Sequence, residues 1–252
     1  MKYLKAEDRV GILKTNKKGT EMKIIKVLPD DRIIVQFQDE FKFEKEIHYN
    51  NFKRGTVKNP YDKTICGVGY LGEGSFIAHD ENGINTKPYD TWTNMIERCY
   101  SNNMRHKHFA YEDCTMCDEW LNFQTFAKWY EANFYDIGTE RMHIDKDILM
   151  KDNKIYAPEK CIFVPQRINM IFMKKNRKID SDLPNGIHRC IGGFRSEYNT
   201  KYLGTYKTLE EALYYYNIEK QLHINEVADE YKNIIPPKLY KALLNWNIKL
   251  AA

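Results

Sequence analysis

The sequence has no apolar run approaching the roughly 20 residues that a membrane span needs, and its first residues, MKYLKA, lead into charge without a hydrophobic signal core. A membrane protein is therefore not expected, and nothing addresses the chain out of the cytoplasm. Cysteine is sparse, with six in 252 residues at positions 66, 99, 114, 117, 161 and 190. Without export these are expected as reduced thiols, not as a disulfide framework. A second C-x-x-C is missing. Cys114 and Cys117 have the spacing of half a zinc knuckle, but Cys99, Cys161, His106 and His108 are only scattered candidates for the other half, so structural zinc is not expected. The glycine-dense stretch at 67–74 lacks the Lys-Ser/Thr ending of a P-loop and reads as a connection or a tight hairpin.

What is present is a globular composition, 42% hydrophobic and 29% charged, enough for two or three small domains with cores. Charge is unevenly spread. Residues 1–60 hold fourteen basic against nine acidic side chains, a net +5; residues 61–171 carry −5 and residues 172–252 carry +4. Basic ends are the usual footprint of phosphate-backbone binding, while an acidic middle fits a metal site, a protein-facing surface or solvated charge.

The first region alternates apolar and polar residues. EMKIIKVL (21–28) and DRIIVQFQ (31–38) flank a turn at Pro29-Asp30-Asp31, and FKFEKEI (41–47) repeats the alternation. With a further turn at Asn16-Lys17-Lys18-Gly19, four or five strands are expected to curl into a small barrel ending at Asn59-Pro60. The pattern resembles a β module of phage and mobile-element proteins, which implies an accessory binding unit. Two helical patterns follow: 89–101, with Trp92, Met95, Ile96 and Cys99 on one face, and 118–134, with Trp120, Leu121, Phe123, Phe126, Ala127 and Tyr130 on another.

Residues 142–169 then read strand, turn, strand, helix: a strand over 142–149, a turn at Lys151-Asp152-Asn153, a second strand over 161–164, and Pro165 before a helix carrying Asn169. A ββα nuclease needs a histidine as general base, a polar residue to orient it, and a few ligands holding one divalent cation against the phosphate. HID…PEKCIFVPQRIN resembles the corresponding motif of HNH homing endonucleases, and the larger block from WTNMIERCY onward resembles phage and mobile-element proteins of HNH-like type. The resemblance implies His143 as the general base and Asn169 as the helical metal ligand, with Mg²⁺ or Mn²⁺ as the cation. It also departs from the family pattern. Met142 stands where a ligand often precedes the histidine, and Lys160 stands at the middle asparagine. A thioether is a poor ligand for a hard cation, and a lysine accepts no hydrogen bond. Asp145, Asp147 and Asn153 are the candidates to compensate. The catalytic set is thus His143, Asn153 and Lys160, and the metal set Asp145 and Asn169.

The third region gives three short strands, NGIHRC, GGFRSEY and KYLGTY, and a helix over 208–222 with Thr208 and Glu211 spaced as a capping box. Leu209, Ala212, Leu213, Tyr216 and Ile218 form its apolar face. This run resembles the ethylene-response-factor (APETALA-type) DNA-binding domain, whose sheet enters the major groove of duplex DNA. The resemblance implies DNA contacts from His188, Arg189, Arg195, Lys201 and Tyr202; plant members carry a more arginine-rich strand. Lys174, Lys175, Arg177 and Lys178 form a basic linker suited to the phosphate backbone. Residues 235–246 are expected as a terminal helix packed on the core.

The expected fold is α+β. It comprises a small β-barrel module (1–60), a central ββα-metal domain with helices (61–171), the basic linker (172–183), and a three-stranded sheet plus helix (184–252). Three functions are open: a metal-dependent DNA endonuclease of homing type, a DNA-binding protein with a decayed nuclease centre, or a phage protein that binds a host protein such as a defence nuclease. Each places the chain in the cytoplasm of a bacterial host.

Overall fold

The computed structural model describes residues 6–107, 113–173 and 183–246 and is mixed α+β. It divides into two compact units. One covers the chain to Ser101 together with Asp118–Lys128; the other covers Asn102–Cys117 and everything from Trp129.

The first unit begins with β1 (Leu13–Thr15), β2 (Glu21–Val27), β3 (Arg32–Phe37) and β4 (Glu44–His48), an antiparallel meander in sequence order. The β2–β3 hairpin turns on Asp30 and Asp31, both at positive φ (58° and 56°), the primed turn whose twist suits the flanking strands. Asp31 is also held by the buried Arg9, which keeps its carboxyl below the usual range; the Arg9 guanidinium lies 3.9 Å from the centre of the Tyr49 ring.

The expected barrel does not close. β1 has three residues, all exposed, and no β1-to-β4 pairing exists to join the edges that closure requires. After β4 the chain instead forms α1 (Tyr49–Arg54). Its Phe52, with Val57, covers the apolar face made by Met22, Ile24, Ile33, Val35, Phe37 and Ile47. Each such side chain contributes about 2 kcal/mol on full burial. Gly55 ends α1 in the left-handed region at φ 63°, where a Cβ would also press on the Thr15 carbonyl at 3.1 Å.

α2 (Lys87–Tyr100) buries Trp92, Met95, Ile96 and Cys99, the face expected from its spacing. α3 (Asn102–Lys107) and β5 (Thr115–Met116) follow. The helix expected over 118–134 starts as a 3-10 turn, Asp118–Leu121, and restarts as α4 (Phe123–Asn133). The break is at Asn122, whose side-chain oxygen accepts from the Gln124 N–H at 2.9 Å. Trp92 donates its indole N–H to the Trp120 carbonyl at 2.7 Å and packs on Phe123, fixing the aromatic core of this unit.

In the second unit β6 (Met142–Asp145) pairs antiparallel with β8 (Ile162–Pro165), and β7 (Ile155–Tyr156) pairs parallel with β5. α5 (Gln166–Phe172) completes the strand, strand, helix order. The C-terminal sheet has the order β11-β10-β9, from β9 (Ile187–Cys190), β10 (Gly193–Tyr198) and β11 (Lys201–Tyr206). α6 (Leu209–Tyr231) starts on the capping box of Thr208 and Glu211 and runs well beyond its expected end; α7 (Pro237–Leu244) follows.

α6 serves two cores. Its first turns bring Leu209, Ala212, Leu213 and Tyr216 to Leu183, Ile187 and Phe194 of the sheet module. Its last turns bring Ile224, Val227, Ala228 and Tyr231 to Ile148, Ile162, Val164 and Ile168 of the ββα unit, joined by Leu239 and Leu243 of α7. Glu140 reinforces the second contact by accepting from the Tyr231 hydroxyl and, at 2.8 Å, from the Arg167 N–H. No helix among the described residues is long and apolar enough to cross a membrane.

Candidate functional site

His143 and Asp145 are alternate residues of β6 and therefore share a face, opposite Val164 and Ile162 of β8. Both are half-buried, as is Asn169 on α5. The backbone order thus sets the candidate base and the candidate helical ligand on adjoining elements. Lys160 lies in the turn before β8, where its N–H donates to the Ala157 carbonyl at 3.1 Å.

The remaining polar groups of this region are spent on the loop from 146 to 155. Asn153 is buried. Its amide donates to the carbonyls of Lys146 (3.0 Å) and Ile155 (2.7 Å), and its oxygen accepts from the Ile155 N–H at 3.1 Å. Lys146, also buried, donates to the Asn153 carbonyl at 2.8 Å and to both Asp147 oxygens at 2.9 Å. Burial works against its charge, but the Asp147 carboxylate outweighs burial and holds its pKa above the usual lysine value. Asp145 accepts from the N–H groups of Asp147 (2.8 Å) and Ile148 (2.7 Å) through one oxygen, so it acts as a turn anchor. Burial, with Asp147 nearby, pushes its carboxyl above the usual range. A hard divalent cation wants accessible ionised oxygens. Met142, a turn-anchoring Asp145 and a fully engaged Asn153 do not form such a set.

None of the six cysteines forms a disulfide. Burial pushes the Cys114 thiol up and the Cys161 thiol to about 12, so both are protonated thiols at neutral pH. No group of three or more His, Cys, Asp or Glu side chains among the described residues could hold a metal ion. His108 lies outside the described residues, and the His106 side chain is likewise not described.

The C-terminal sheet sorts its candidates by face. Ile187, Ser196 and Gly204 occupy one cross-strand row, and the first two are buried towards α6. The next row on that face is Arg189, Phe194 and Tyr206, and the Arg189 guanidinium lies 5.5 Å from the Phe194 ring centre. Lys201, opposite the buried Tyr198, reaches Glu219 of α6 at 2.6 Å. Arg189 and Lys201 thus belong to the helix side.

The open face carries the row His188, Arg195 and Thr205, followed by the pair Glu197 and Tyr202. A bulge at Leu203 shifts the register between these rows and aligns Tyr202 with the open face. Arg195 lies 5.6 Å from the Tyr202 ring centre and pairs with Glu197 at 2.8 Å, while the Tyr202 hydroxyl meets the Thr205 hydroxyl at 3.0 Å. The structure therefore brings His188, Arg195 and Tyr202 together. It adds Thr205, which sequence reading missed although strand alternation from Tyr198 and Lys201 could have found it once the bulge was known. Lys174, Lys175, Arg177 and Lys178 lie outside the described residues.

The N-terminal module has an open groove of ≈ 870 Å³ beside Lys17, Lys18, Lys45 and Lys58, with Asp62 and Glu73 also on its wall. Asp62 accepts from Asn16 and Thr20, and Glu73 accepts from Tyr61, so these acids help build the wall. No family model, curated protein or solved structure matches the chain.

Proposed function

We propose that this chain is a double-stranded-DNA-binding protein of phage or mobile-element origin, whose central ββα unit derives from an HNH homing endonuclease and whose C-terminal sheet makes the base contacts. The observation that supports this is the exposed row His188, Arg195 and Thr205 with Tyr202 beside it, a strip of hydrogen-bonding and aromatic side chains on the face away from α6. Arg195 is its base reader. The exposed pair with Glu197 is worth about 0–1 kcal/mol, whereas a bidentate guanine contact is worth about 1–3 kcal/mol, so the guanidinium transfers readily to DNA. Tyr202 holds its plane. The basic run at 174–178 supplies phosphate contacts.

The ββα unit acts in this reading as a retained scaffold. His143 keeps the position of a general base, but the side chains around it serve the loop. The test combines gel shifts of duplex DNA over a salt series with incubation of supercoiled plasmid in Mg²⁺ or Mn²⁺, an EDTA lane and His143→Ala alongside. Salt-dependent shifting without nicking is the expected result. Metal-dependent nicking that disappears in His143→Ala would replace the scaffold reading with a live nuclease of the bacterial cytoplasm. No shift at any salt, with a host protein co-purifying at high salt, would replace DNA by a protein partner.

A further inference from the structure

The β9–β10 hairpin ends in Cys190-Ile191-Gly192-Gly193. Cys190 pairs with Gly193, leaving Ile191 and Gly192 as the two loop residues. Gly192 sits at φ 95° and Gly193 at φ 139°, and a Cβ on Gly193 would come within 2.0 Å of the Tyr206 carbonyl oxygen, so the strand position after the loop admits no side chain. At this tip Ile191 is 104% exposed, above every other large apolar side chain described. Turn positions of this kind usually hold Gly, Asn, Asp or Ser. A β-branched apolar residue here contributes nothing to the core, and it projects from the same hairpin that carries His188 and Arg195.

We infer that Ile191 is an apolar base-reading tip that contacts the 5-methyl group of thymine in the major groove. This rests on the DNA-binding reading above and deepens it. Among the groups that base pairs present in the major groove, the thymine methyl is the apolar one; the others donate or accept hydrogen bonds. A two-stranded ribbon is also the kind of element that groove admits. Ile191 lies three residues from His188, about 10 Å along a strand. That corresponds to about three base-pair steps, so the thymine it reads lies within about three base pairs of the guanine that Arg195 contacts.

The experiment uses the full chain and duplexes enriched by it from a randomised library. Each thymine is replaced singly by uracil, which removes the methyl group and leaves base pairing intact, and affinities are measured by fluorescence anisotropy at fixed salt. One position should weaken the wild type about fourfold, the loss of one buried methyl, leave Ile191→Ala unchanged, and still be sensed by Ile191→Val. If duplexes are enriched and Arg195→Ala weakens them, but no uracil affects the wild type more than Ile191→Ala, the tip contact is wrong and DNA binding stands. If nothing is enriched, or Arg195→Ala binds as the wild type does, the sheet is not the DNA-contacting surface and the inference falls with it.

Discussion

The ββα unit and the C-terminal sheet share one helix, yet they use their polar side chains in opposite ways. In the ββα unit Lys146, Asp145 and Asn153 point their hydrogen bonds inward at loop backbone. In the sheet His188, Arg195 and Tyr202 are exposed, and Arg195 is held by surface contacts, the pair with Glu197 and the Tyr202 ring. A polar group that satisfies the fold is costly to remove and poorly placed to bind anything else. A polar group held by a weak surface contact is cheap to remove and free to exchange its partner. The difference separates groups kept for stability from groups available for recognition, even where the sequence presents both as candidates.

Substitutions can break this contrast. The largest expected effect is Asn153→Ala, which leaves buried loop carbonyls unpaired and should cost about 3 kcal/mol of stability in urea denaturation, with DNA affinity unchanged wherever the protein is folded. Equal loss of affinity at full folding would give Asn153 a site role. Arg195→Ala should do the reverse. It should lose about 2 kcal/mol of duplex affinity in anisotropy titrations and leave the unfolding free energy in urea within about 0.5 kcal/mol of wild type. Thr208→Ala should cost about 1 kcal/mol by opening the capping box of α6, detectable as earlier hydrogen exchange at its first turn.

Asp145→Asn gives the smallest effect and a distinctive sign. The carboxyl is raised above its ordinary value in the folded state, so ionising it costs the native structure. Its favourable contribution is complete below the unfolded pKa of about 4 and is lost as pH rises through the folded value. The asparagine variant, which keeps the oxygen that accepts from Asp147 and Ile148, should gain stability relative to wild type as pH rises from about 3 to about 7, read from urea midpoints of the two proteins. A variant whose deficit relative to wild type grew as pH rose across that range would show that the charge itself is used.

Local chemistry explains what was legible. Alternation with a Pro-Asp-Asp turn gave the β2–β3 hairpin, the spacing of Trp92, Met95, Ile96 and Cys99 gave the face of α2, and the Thr208 and Glu211 pair gave the start of α6. The missed features depend on partners distant in sequence. Closure of the first sheet would have needed a match between β1 and β4, and alternation within a strand says nothing about edges. The end of α6 was lost because its apolar stripe changes partner, from the sheet at Ala212 to the ββα core at Ile224. In the candidate site the backbone order was readable, as was the candidacy of Arg195 and Tyr202. Which side of the sheet Arg189 and Lys201 occupy depends on register and on the bulge at Leu203.

The change of partner along α6 works as a gear. Over its 23 residues, about 34 Å of helix, the two ends are keyed to different cores. Inserting one residue between His223, the last helix residue bonded to the sheet, and Ile224 would advance the sheet by about 1.5 Å and turn it by about 100° about the helix axis, swinging the Arg195 face to a new bearing. Point substitutions can tune each end alone, but the aim of one relative to the other is fixed by a residue count.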